Sequence, residues 1–466
     1  MTDFPLGSFR LWAAMACLGL SGPALQGPPP PNPEPRPNTP IEHVIVLMQE
    51  NHSFDNYFGT YQNADGIPPG TCIPVDPFNP WNPSCVAPFH LGDNEVQLED
   101  PDHSSHTFLL QYNDGRMDGF VYALRRKNQD GRLTMAYYDD RDLPYYWNLA
   151  DEYALFDRFF SSAAGGSFTN HIYWVAAVPG MDRSKLPPEG LGDLPTIFDR
   201  LEERGISWKF YVQNYDPRIT YRTRGVLQGP KAAQAVWVPL LNYARYIDDP
   251  ELSSHIVDLA EYFEDLQNGT LPAVAYMVPS GPSEHPPSSV MSGQRFVRTL
   301  LNELMRSTAW NSSAFILTYD DWGGWYDHVS PPQVDASGYG FRVPALLVSA
   351  YARRGYIDST ELDYTSILKF IEQNWDLEPL ADRDANANSL VTAFDFSQPP
   401  REPRMIPWER PRKEPKVEPR RDVIYTAYGA ALVLPALLIS WAAFDAARRQ
   451  RLARRSQTEI PSAGAS

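Results

Sequence analysis

Two apolar runs in this chain end in side chains that could bind a divalent cation. The runs cover residues 41–49 and 314–319, and four oxygen-bearing residues follow them: Glu50, Asn51, Asp320 and Asp321. Carboxylate and amide oxygens suit such a cation, and two adjacent carboxylates repel each other unless a cation lies beside them. Each strand end alone could be an ordinary turn, which is also rich in Asn and Asp. Two such ends in one chain favour a metal site.

Three further residues could take part in chemistry at that site. Ser167 follows two glycines at the start of a predicted helix, where its hydroxyl would lie near backbone N–H donors and could be activated by a metal. The alternative role for Ser167 is a helix N-cap. His106 and His285 lie in polar loops. A loop imidazole can bind a phosphoryl oxygen or protonate a leaving group, although most loop histidines do neither.

Alternating strands and helices must position these residues. The predicted strands are 41–49, 207–212, 273–278, 314–319 and 343–350, and the predicted helices are 196–204, 293–307 and 364–374. Apolar residues at helical spacing also suggest a helix within 145–160. This alternation indicates a layered α/β/α fold with a mainly parallel central sheet. Ligands in such folds bind at the carboxyl ends of the strands.

The ends of the chain suggest a membrane protein. Residues 423–444 carry no charged side chain and are long enough to cross a bilayer as a helix, although a buried core helix would look similar. Residues 1–27 resemble a weak signal segment. Arginines follow the apolar run, and this favours a cytoplasmic C-terminus and an extracytoplasmic body, although basic residues also precede it.

The predicted organisation has six parts. They are a signal segment (1–27), a Pro-rich linker (28–40), a catalytic domain (41–397), a Pro-rich charged linker (398–422), a transmembrane helix (423–444) and a basic cytoplasmic tail (445–466). The formal net charge of −17 argues against a nucleic-acid partner. Three cysteines are present, and Cys17 lies in the signal segment. A bridge between Cys72 and Cys85 is favoured over two free thiols, since disulfides persist outside the cytoplasm.

The stretch from Glu50 to Gly59 resembles the signature of the bacterial-type phosphoesterase family, which joins non-haemolytic phospholipases C with a group of acid phosphatases. Further matches follow in order at 106–120, 149–173, 283–287 and 319–332. The resemblance implies a fold similar to that of alkaline phosphatase. It also implies one divalent metal ion held by four residues: Glu50, Asn51, Asp320 and Asp321.

The same resemblance implies roles for the remaining residues. Ser167 would touch the metal and form a phosphoseryl intermediate, while His106 and His285 would contact the phosphate. His285 would protonate the leaving group. The chain departs from the family at Ser167, where the phospholipases often have Thr, at Asp321, where Glu is common, and at His171, where the family has Arg. These differences leave the reaction type unchanged.

The expected function is therefore a membrane-anchored, metal-dependent hydrolase of phosphoric esters. Its substrate would be a phospholipid head group or a small phosphomonoester, as in phospholipase C or acid phosphatase. The alternative is a catalytically inactive surface binding module with the same fold.

Overall fold

The computed structural model describes residues 35–92, 99–181, 185–223, 233–281, 283–410 and 421–457. The predicted signal segment lies outside these residues. The chain divides into two compact units, with the boundary between Arg410 and Pro411.

The described residues form one large sheet and two small ones. The strands are β1 (His43–Gln49), β2 (Ile73–Pro74), β3 (Cys85–Val86), β4 (Phe89–His90), β5 (Ala136–Tyr137), β6 (Ala154–Phe156), β7 (Trp208–Val212), β8 (Ile256–Asp258), β9 (Val274–Val278), β10 (Ser313–Tyr319), β11 (Ala345–Ser349) and β12 (Tyr356–Asp358). The large sheet has the order β12-β6-β11-β10-β1-β9-β7-β8. Only β11 runs antiparallel to its neighbours there, so the predicted mainly parallel sheet is confirmed.

The described residues also contain fourteen α-helices. They are α1 (Phe54–Phe58), α2 (Ser105–Tyr112), α3 (Phe120–Arg126), α4 (Pro144–Glu152), α5 (Ser167–Ala176), α6 (Ile197–Arg204), α7 (Gln234–Trp237), α8 (Ala244–Asp248), α9 (Pro250–Ser253), α10 (Ala260–Asn268), α11 (Val290–Arg306), α12 (Tyr364–Trp375), α13 (Asp382–Ala385) and α14 (Arg421–Gln457). One group packs α5 with α6, α7 and α12, and another packs α11 with α4 and α10. Every residue of β9, β10 and β11 is buried, as expected for strands covered on both faces.

The predicted elements are largely confirmed, with one exception at 145–160. There α4 ends at Glu152, and β6 begins at Ala154. The apolar residues at helical spacing are buried, but they do not share one helix. Leu149 lies in α4, whereas Phe156 lies in β6, which pairs between β11 and β12. A strand buried on both faces shows no alternation of apolar and polar residues, so its pattern can be mistaken for that of a helix.

The register between β1 and β10 brings the two predicted strand ends together. These strands pair in parallel, with Gln49 opposite Tyr319. The next residue of each strand is an acid, so Glu50 and Asp320 leave the sheet side by side.

A buried ion cluster holds the turn after β1 against the segment after β10. Arg342 is fully buried, and its guanidinium donates to Asp327 at 2.9 Å and to Asp55 at 3.1 Å. Asp55 Oδ2 also lies 2.7 Å from His328 Nδ1. Because these partners come from both strand ends, the cluster fixes the frame around Glu50 and Asp320.

The C-terminal part differs from the predicted boundaries. Residues 398–410, predicted as linker, pack within the first unit: Trp310 Nε1 donates to the Arg401 carbonyl at 2.9 Å, and the Trp408 ring stacks on Tyr145. Helix α14 contains the predicted 423–444 span and continues into the predicted tail. Its segment Tyr425–Leu452 is long and apolar enough to cross a membrane.

The predicted disulfide is confirmed. Cys72 and Cys85 are bonded, with their Cα atoms 5.4 Å apart, and they close a loop beside the short β2–β3 pair.

Candidate active site

The four predicted oxygen ligands meet at the carboxyl ends of β1 and β10. The backbone N–H groups of Asn51 and Asp321 donate to Asp320 Oδ1 at 3.0 and 2.8 Å. Burial, followed by the charges of Asp320 and Asp321, raises the pKa of Glu50 well above its ordinary value. All four side chains are buried.

Three of these side chains hold a buried oxygen with no hydrogen-bond partner among the described residues. These atoms are Asn51 Oδ1, Asp320 Oδ2 and Asp321 Oδ2. Burial and the neighbouring Asp320 raise the pKa of Asp321 well above its ordinary value. Buried carboxylates without partners are unfavourable unless a cation compensates them. The donor set therefore fits one divalent cation.

A glycine turn allows the two strand ends to approach closely. Gly323 has a φ of 60°, and a Cβ on it would lie 2.1 Å from the Asn51 carbonyl oxygen. Any side chain at this position would push the β10 end away from Asn51. The same turn is stabilised by the Gly323 N–H, which donates to Asp321 Oδ1 at 2.8 Å.

His171 faces the same cluster, a placement that the sequence interpretation missed. It is fully buried in α5, and its Nε2 lies 3.2 Å from Glu50 Oε1 and 4.0 Å from Asp320 Oδ2. Burial lowers the pKa of His171 to about 4, so the ring is neutral near pH 7. Neutral imidazole is a metal ligand, and donor atoms of Glu50, His171 and Asp320 lie within 4.8 Å of one another.

Ser167 is the first residue of α5 and lies one helical turn before His171. Residues four apart on a helix have Cβ atoms about 5–6 Å apart, so Ser167 shares the helix face that meets the carboxylates. Asn170 braces the preceding turn, because it accepts from the Ala163 N–H at 3.0 Å and donates to the Gly165 carbonyl at 2.9 Å. This brace holds the serine at the helix start.

Ser167 also lines an open cavity of about 710 Å³. The cavity wall includes His103 and the segment Lys127–Gln129. The serine is therefore accessible to a substrate, whereas the four oxygen ligands are buried.

The two predicted histidines have different outcomes. His285 lies in the site region: its Nδ1 is 2.7 Å from the Pro286 carbonyl oxygen, and its ring is 5.8 Å from that of His103. His106 is exposed on α2, so the structure does not bring it to the cluster. The prediction for His106 is corrected to His103, three residues earlier, because Ser104 caps α2 and leaves His103 before the helix, facing inward.

His103 contacts the predicted ligand set directly. Its Nε2 lies 3.2 Å from Asn51 Nδ2, and its Nδ1 lies 2.8 Å from the Pro101 carbonyl oxygen. Burial opposes the charged ring, but the charges of Asp321 and Asp100 outweigh burial and raise the pKa of His103. His103 also lines the cavity, so it can contact a substrate bound there.

Glu284 supports the loop that carries His285. It is fully buried and accepts hydrogen bonds from the hydroxyl groups of Tyr57, Tyr146 and Tyr319 at 2.5, 2.5 and 2.7 Å. Burial raises the pKa of Glu284 to about 7, although these hydroxyl donors lower it.

The raised pKa of Glu284 predicts a pH-dependent stability. The native state holds this proton more tightly than the unfolded chain, so the stabilisation is complete below about pH 4.5 and is lost as pH rises towards 7. Between pH 5 and pH 7 the wild type should lose about 2 kcal/mol relative to Glu284→Gln. Urea unfolding of both proteins across this range measures the difference. Parallel pH profiles would contradict the assignment.

Comparison with known proteins supports the family predicted from the sequence. The profile of the Phosphoesterase family matches residues 41–378. Phospholipase C A of Mycobacterium tuberculosis (strain ATCC 25618 / H37Rv) is 29% identical over 457 residues, covering 84% of this chain and 84% of that protein. Non-specific phospholipase C6 of Arabidopsis thaliana is 28% identical over 451 residues, covering 86% of this chain and 81% of that protein.

Among solved structures, a protein in the alkaline phosphatase superfamily from Vibrio parahaemolyticus aligns with 12% identity and a TM-score of 0.34. The alignment covers 73% of this chain and 68% of that chain. The family profile spans most of the first unit, which ends at Arg410 and is called the catalytic unit below. Relatives named phospholipase C share most of their length with this chain. The chain therefore belongs to the Phosphoesterase family and is a hydrolase of phosphoric esters.

Proposed function

We propose that this hydrolase depends on one divalent metal ion, acts through a phosphoseryl intermediate on Ser167 and cleaves phospholipids in the manner of a phospholipase C. The observation that carries the proposal is a set of buried oxygens on Asn51, Asp320 and Asp321. These oxygens have no hydrogen-bond partner among the described residues, and they lie beside the helix that begins at Ser167. The relatives named phospholipase C support a phosphodiester substrate. They give no support to the alternative of an inactive binding module.

The ligand residues of the proposed metal are Glu50, Asn51, Asp320 and Asp321, with Ser167 and His171 beside them. A bound divalent ion would polarise a phosphoryl oxygen and favour the serine alkoxide. The carboxylates would hold the ion, and the buried neutral His171 keeps Glu50 oriented through their 3.2 Å contact.

The reaction begins when the deprotonated Ser167 Oγ, favoured beside a bound metal, attacks phosphorus. A new O–P bond forms, and the bond from phosphorus to the diacylglycerol oxygen breaks. His285 donates a proton to that leaving oxygen, and His103 binds a phosphoryl oxygen. In the second half, His285 removes a proton from water, which attacks the seryl phosphodiester and releases Ser167 and the phosphorylated head group. Backbone N–H groups at the start of α5 stabilise the developing negative charge.

The proposal is tested by a substrate panel on the full-length protein. Phosphatidylcholine and p-nitrophenyl phosphate are assayed after chelation and after addition of single divalent metals. We expect hydrolysis of the phosphodiester, loss of activity with chelator and recovery with one metal. Preference for the monoester would instead make the protein a phosphomonoesterase, and activity that survives complete metal removal would exclude the metal from the mechanism.

We further propose that α14 anchors the enzyme in a membrane with the catalytic unit outside the cytoplasm. The apolar segment Tyr425–Leu452 and the disulfide Cys72–Cys85 support this arrangement. Protease added to intact cells that express the chain should then release the catalytic unit. If that unit is protected from protease until the cells are lysed, the orientation is the opposite of the one proposed.

The corrected histidine gives a paired mutational test. His103→Gln should lower kcat/KM by at least about a hundredfold, because a phosphate contact is removed from the site. His106→Gln is the matched control and should remain within about twofold of wild type, since surface changes away from a site have small effects. Steady-state hydrolysis of a soluble phosphodiester measures both. Equal losses in the two variants would remove the distinction between the two histidines.

A further inference from the structure

The loop closed by the disulfide, residues 72–85, exposes two large aromatic side chains. This segment is called the aromatic loop below. Phe78 is 54% exposed, and Trp81, at 91%, is the most exposed large apolar side chain among the described residues. Single apolar residues on a surface need no explanation, but two aromatic residues three positions apart at the tip of one closed loop are a concentrated apolar feature.

The aromatic loop is built to be rigid and to satisfy its own backbone. Its ends are joined by the Cys72–Cys85 bond and by pairing of β2 with β3. Four prolines, at 74, 77, 80 and 83, have no N–H group. Other N–H groups donate within the loop, namely those of Val75, Phe78, Asn79, Trp81, Asn82 and Ser84. Burial of an unpaired N–H group is costly. Because these N–H groups are already paired within the loop, the loop can move from water into another environment without that cost.

The charge of the aromatic loop suits a neutral surface. Asp76 is its one ionisable group, apart from the bonded cysteines, in a chain of formal net charge −17. Asp76 Oδ1 accepts from the Phe78 N–H at 3.0 Å, so this carboxylate is directed into the loop. Trp and other amphipathic aromatics prefer the head-group region of a bilayer. The absence of basic residues from the loop sequence favours zwitterionic lipid over anionic lipid.

The aromatic loop packs on the helix that leads into the cavity wall. The Phe78 ring is 5.1 Å from the Tyr122 ring on α3. Helix α3 ends at Arg126, and the segment Lys127–Gln129 that follows lines the cavity. Tyr122 and Lys127 are five residues apart, or about 7.5 Å along a helix. The exposed aromatics are thus attached to the structure that forms the cavity wall.

A bilayer is also within reach of this loop if α14 crosses one. Residues 411–420 join the two units of the chain, and a segment of this length spans at most about 40 Å. The catalytic unit therefore cannot move far from the membrane that contains α14. Tethering of this kind raises the effective concentration of a surface for a second, weak contact.

We propose that Phe78 and Trp81 insert into the surface of a zwitterionic bilayer and hold the cavity mouth against its lipid substrate. The inference rests on the proposed function in that the substrate is a phospholipid and α14 is the anchor. The membrane-bound helix alone would leave the orientation of the catalytic unit undetermined. The aromatic loop supplies the second contact that directs the cavity to the lipid.

The first test measures contact with lipid independently of activity. Full-length protein carrying Trp441→Phe, which removes a tryptophan of α14, is placed in phosphatidylcholine nanodiscs with or without brominated acyl chains. The fluorescence emission of Trp81 is obtained by subtracting the emission of the same protein with Trp81→Phe from the emission of this protein. We expect brominated lipid to quench that emission. An unquenched Trp81, whether it faces water or another protein, would overturn the proposal.

The second test measures use of the lipid substrate. The double variant Phe78→Ser/Trp81→Ser should raise the KM for phosphatidylcholine in nanodiscs about tenfold, which corresponds to the loss of modest apolar burial. Its kcat/KM for a soluble short-chain phosphodiester should stay at the wild-type value. Val391→Ser, which alters another exposed apolar residue (46% exposed), is the control and should change neither quantity.

These two tests separate the inference from the proposed function. If no phosphoester is hydrolysed, the proposed function fails, whereas Trp81 quenching still decides whether the loop contacts lipid. If hydrolysis is normal but the double variant shows an unchanged KM for lipid, the proposed function stands and the role of the aromatic loop is wrong.

Discussion

Ser167→Ala is expected to lower phosphodiester turnover by about 10⁴-fold or more, because removal of a catalytic nucleophile has effects of at least this size. The side chain is half-buried at the start of α5, so its loss should leave the fold and the metal content unchanged. Ser167→Thr keeps a hydroxyl group and should retain measurable turnover. Thr169→Ala, a half-buried neighbour on the first turn of the same helix, is the matched control and should remain close to wild type.

Two measurements check this expectation. Steady-state assays give the loss of turnover, and acid quenching followed by mass spectrometry detects the head-group phosphate on the peptide that contains Ser167. The adduct should appear in the wild type and disappear in Ser167→Ala. If Ser167→Ala hydrolyses substrate at the wild-type rate, the nucleophile is another group, such as water.

Asp321→Asn should lower activity by about 10³-fold or more, since it removes a ligand of the proposed metal and the electrostatic stabilisation that depends on it. Its effect on stability should change sign with the metal. With chelator present, the variant should melt at or above the wild-type temperature, because repulsion among Glu50, Asp320 and Asp321 is relieved. With metal present, the wild type should melt higher, because binding to the native state stabilises it.

Thermal melting with chelator and with metal, combined with elemental analysis after dialysis, measures both effects. Asp395→Asn is the matched control, because it removes one carboxylate whose partners are Ser397 and Gln398, away from the strand ends. It should bind metal like the wild type. A wild-type melting temperature that does not respond to any divalent metal would contradict the metal assignment.

The meeting of the two acidic strand ends could be predicted from the sequence because two simple patterns coincide. Buried strands are visible as apolar runs, and the carboxyl ends of neighbouring parallel strands meet at one edge. The observed register places Gln49 opposite Tyr319 and so brings Glu50 beside Asp320. What the sequence could not show was that β1 and β10 are direct neighbours, since strand order depends on packing of the whole sheet.

The histidines show where reading of the sequence failed. His103 and His106 lie on the same short stretch, and only the position of the Ser104 cap decides which of them precedes α2 and faces the cavity. His171 was recognised as a substitution but was not placed beside Glu50. Its spacing of four residues from Ser167 was a usable signal, because residues so spaced share a helix face.

The first compact unit extends past the predicted boundary at 397, to Arg410. Residues 398–410 are rich in proline and charge, which is typical of a linker, yet Arg401 and Trp408 find partners on the catalytic unit. Composition describes how a segment behaves alone, whereas docking depends on a matching surface elsewhere in the fold.

The pairing of β1 with β10 also sets the order of events during synthesis. Asn51 and Asp320 are 269 residues apart, although their atoms are hydrogen-bonded. The nascent chain therefore carries one half of the ligand set for most of translation before the other half exists, and such long-range parallel pairing forms slowly. The proposed metal ion could be bound only after β1 and β10 have both been made and have paired. In a chain exported before it folds, that ion would come from the compartment of destination rather than from the cytoplasm.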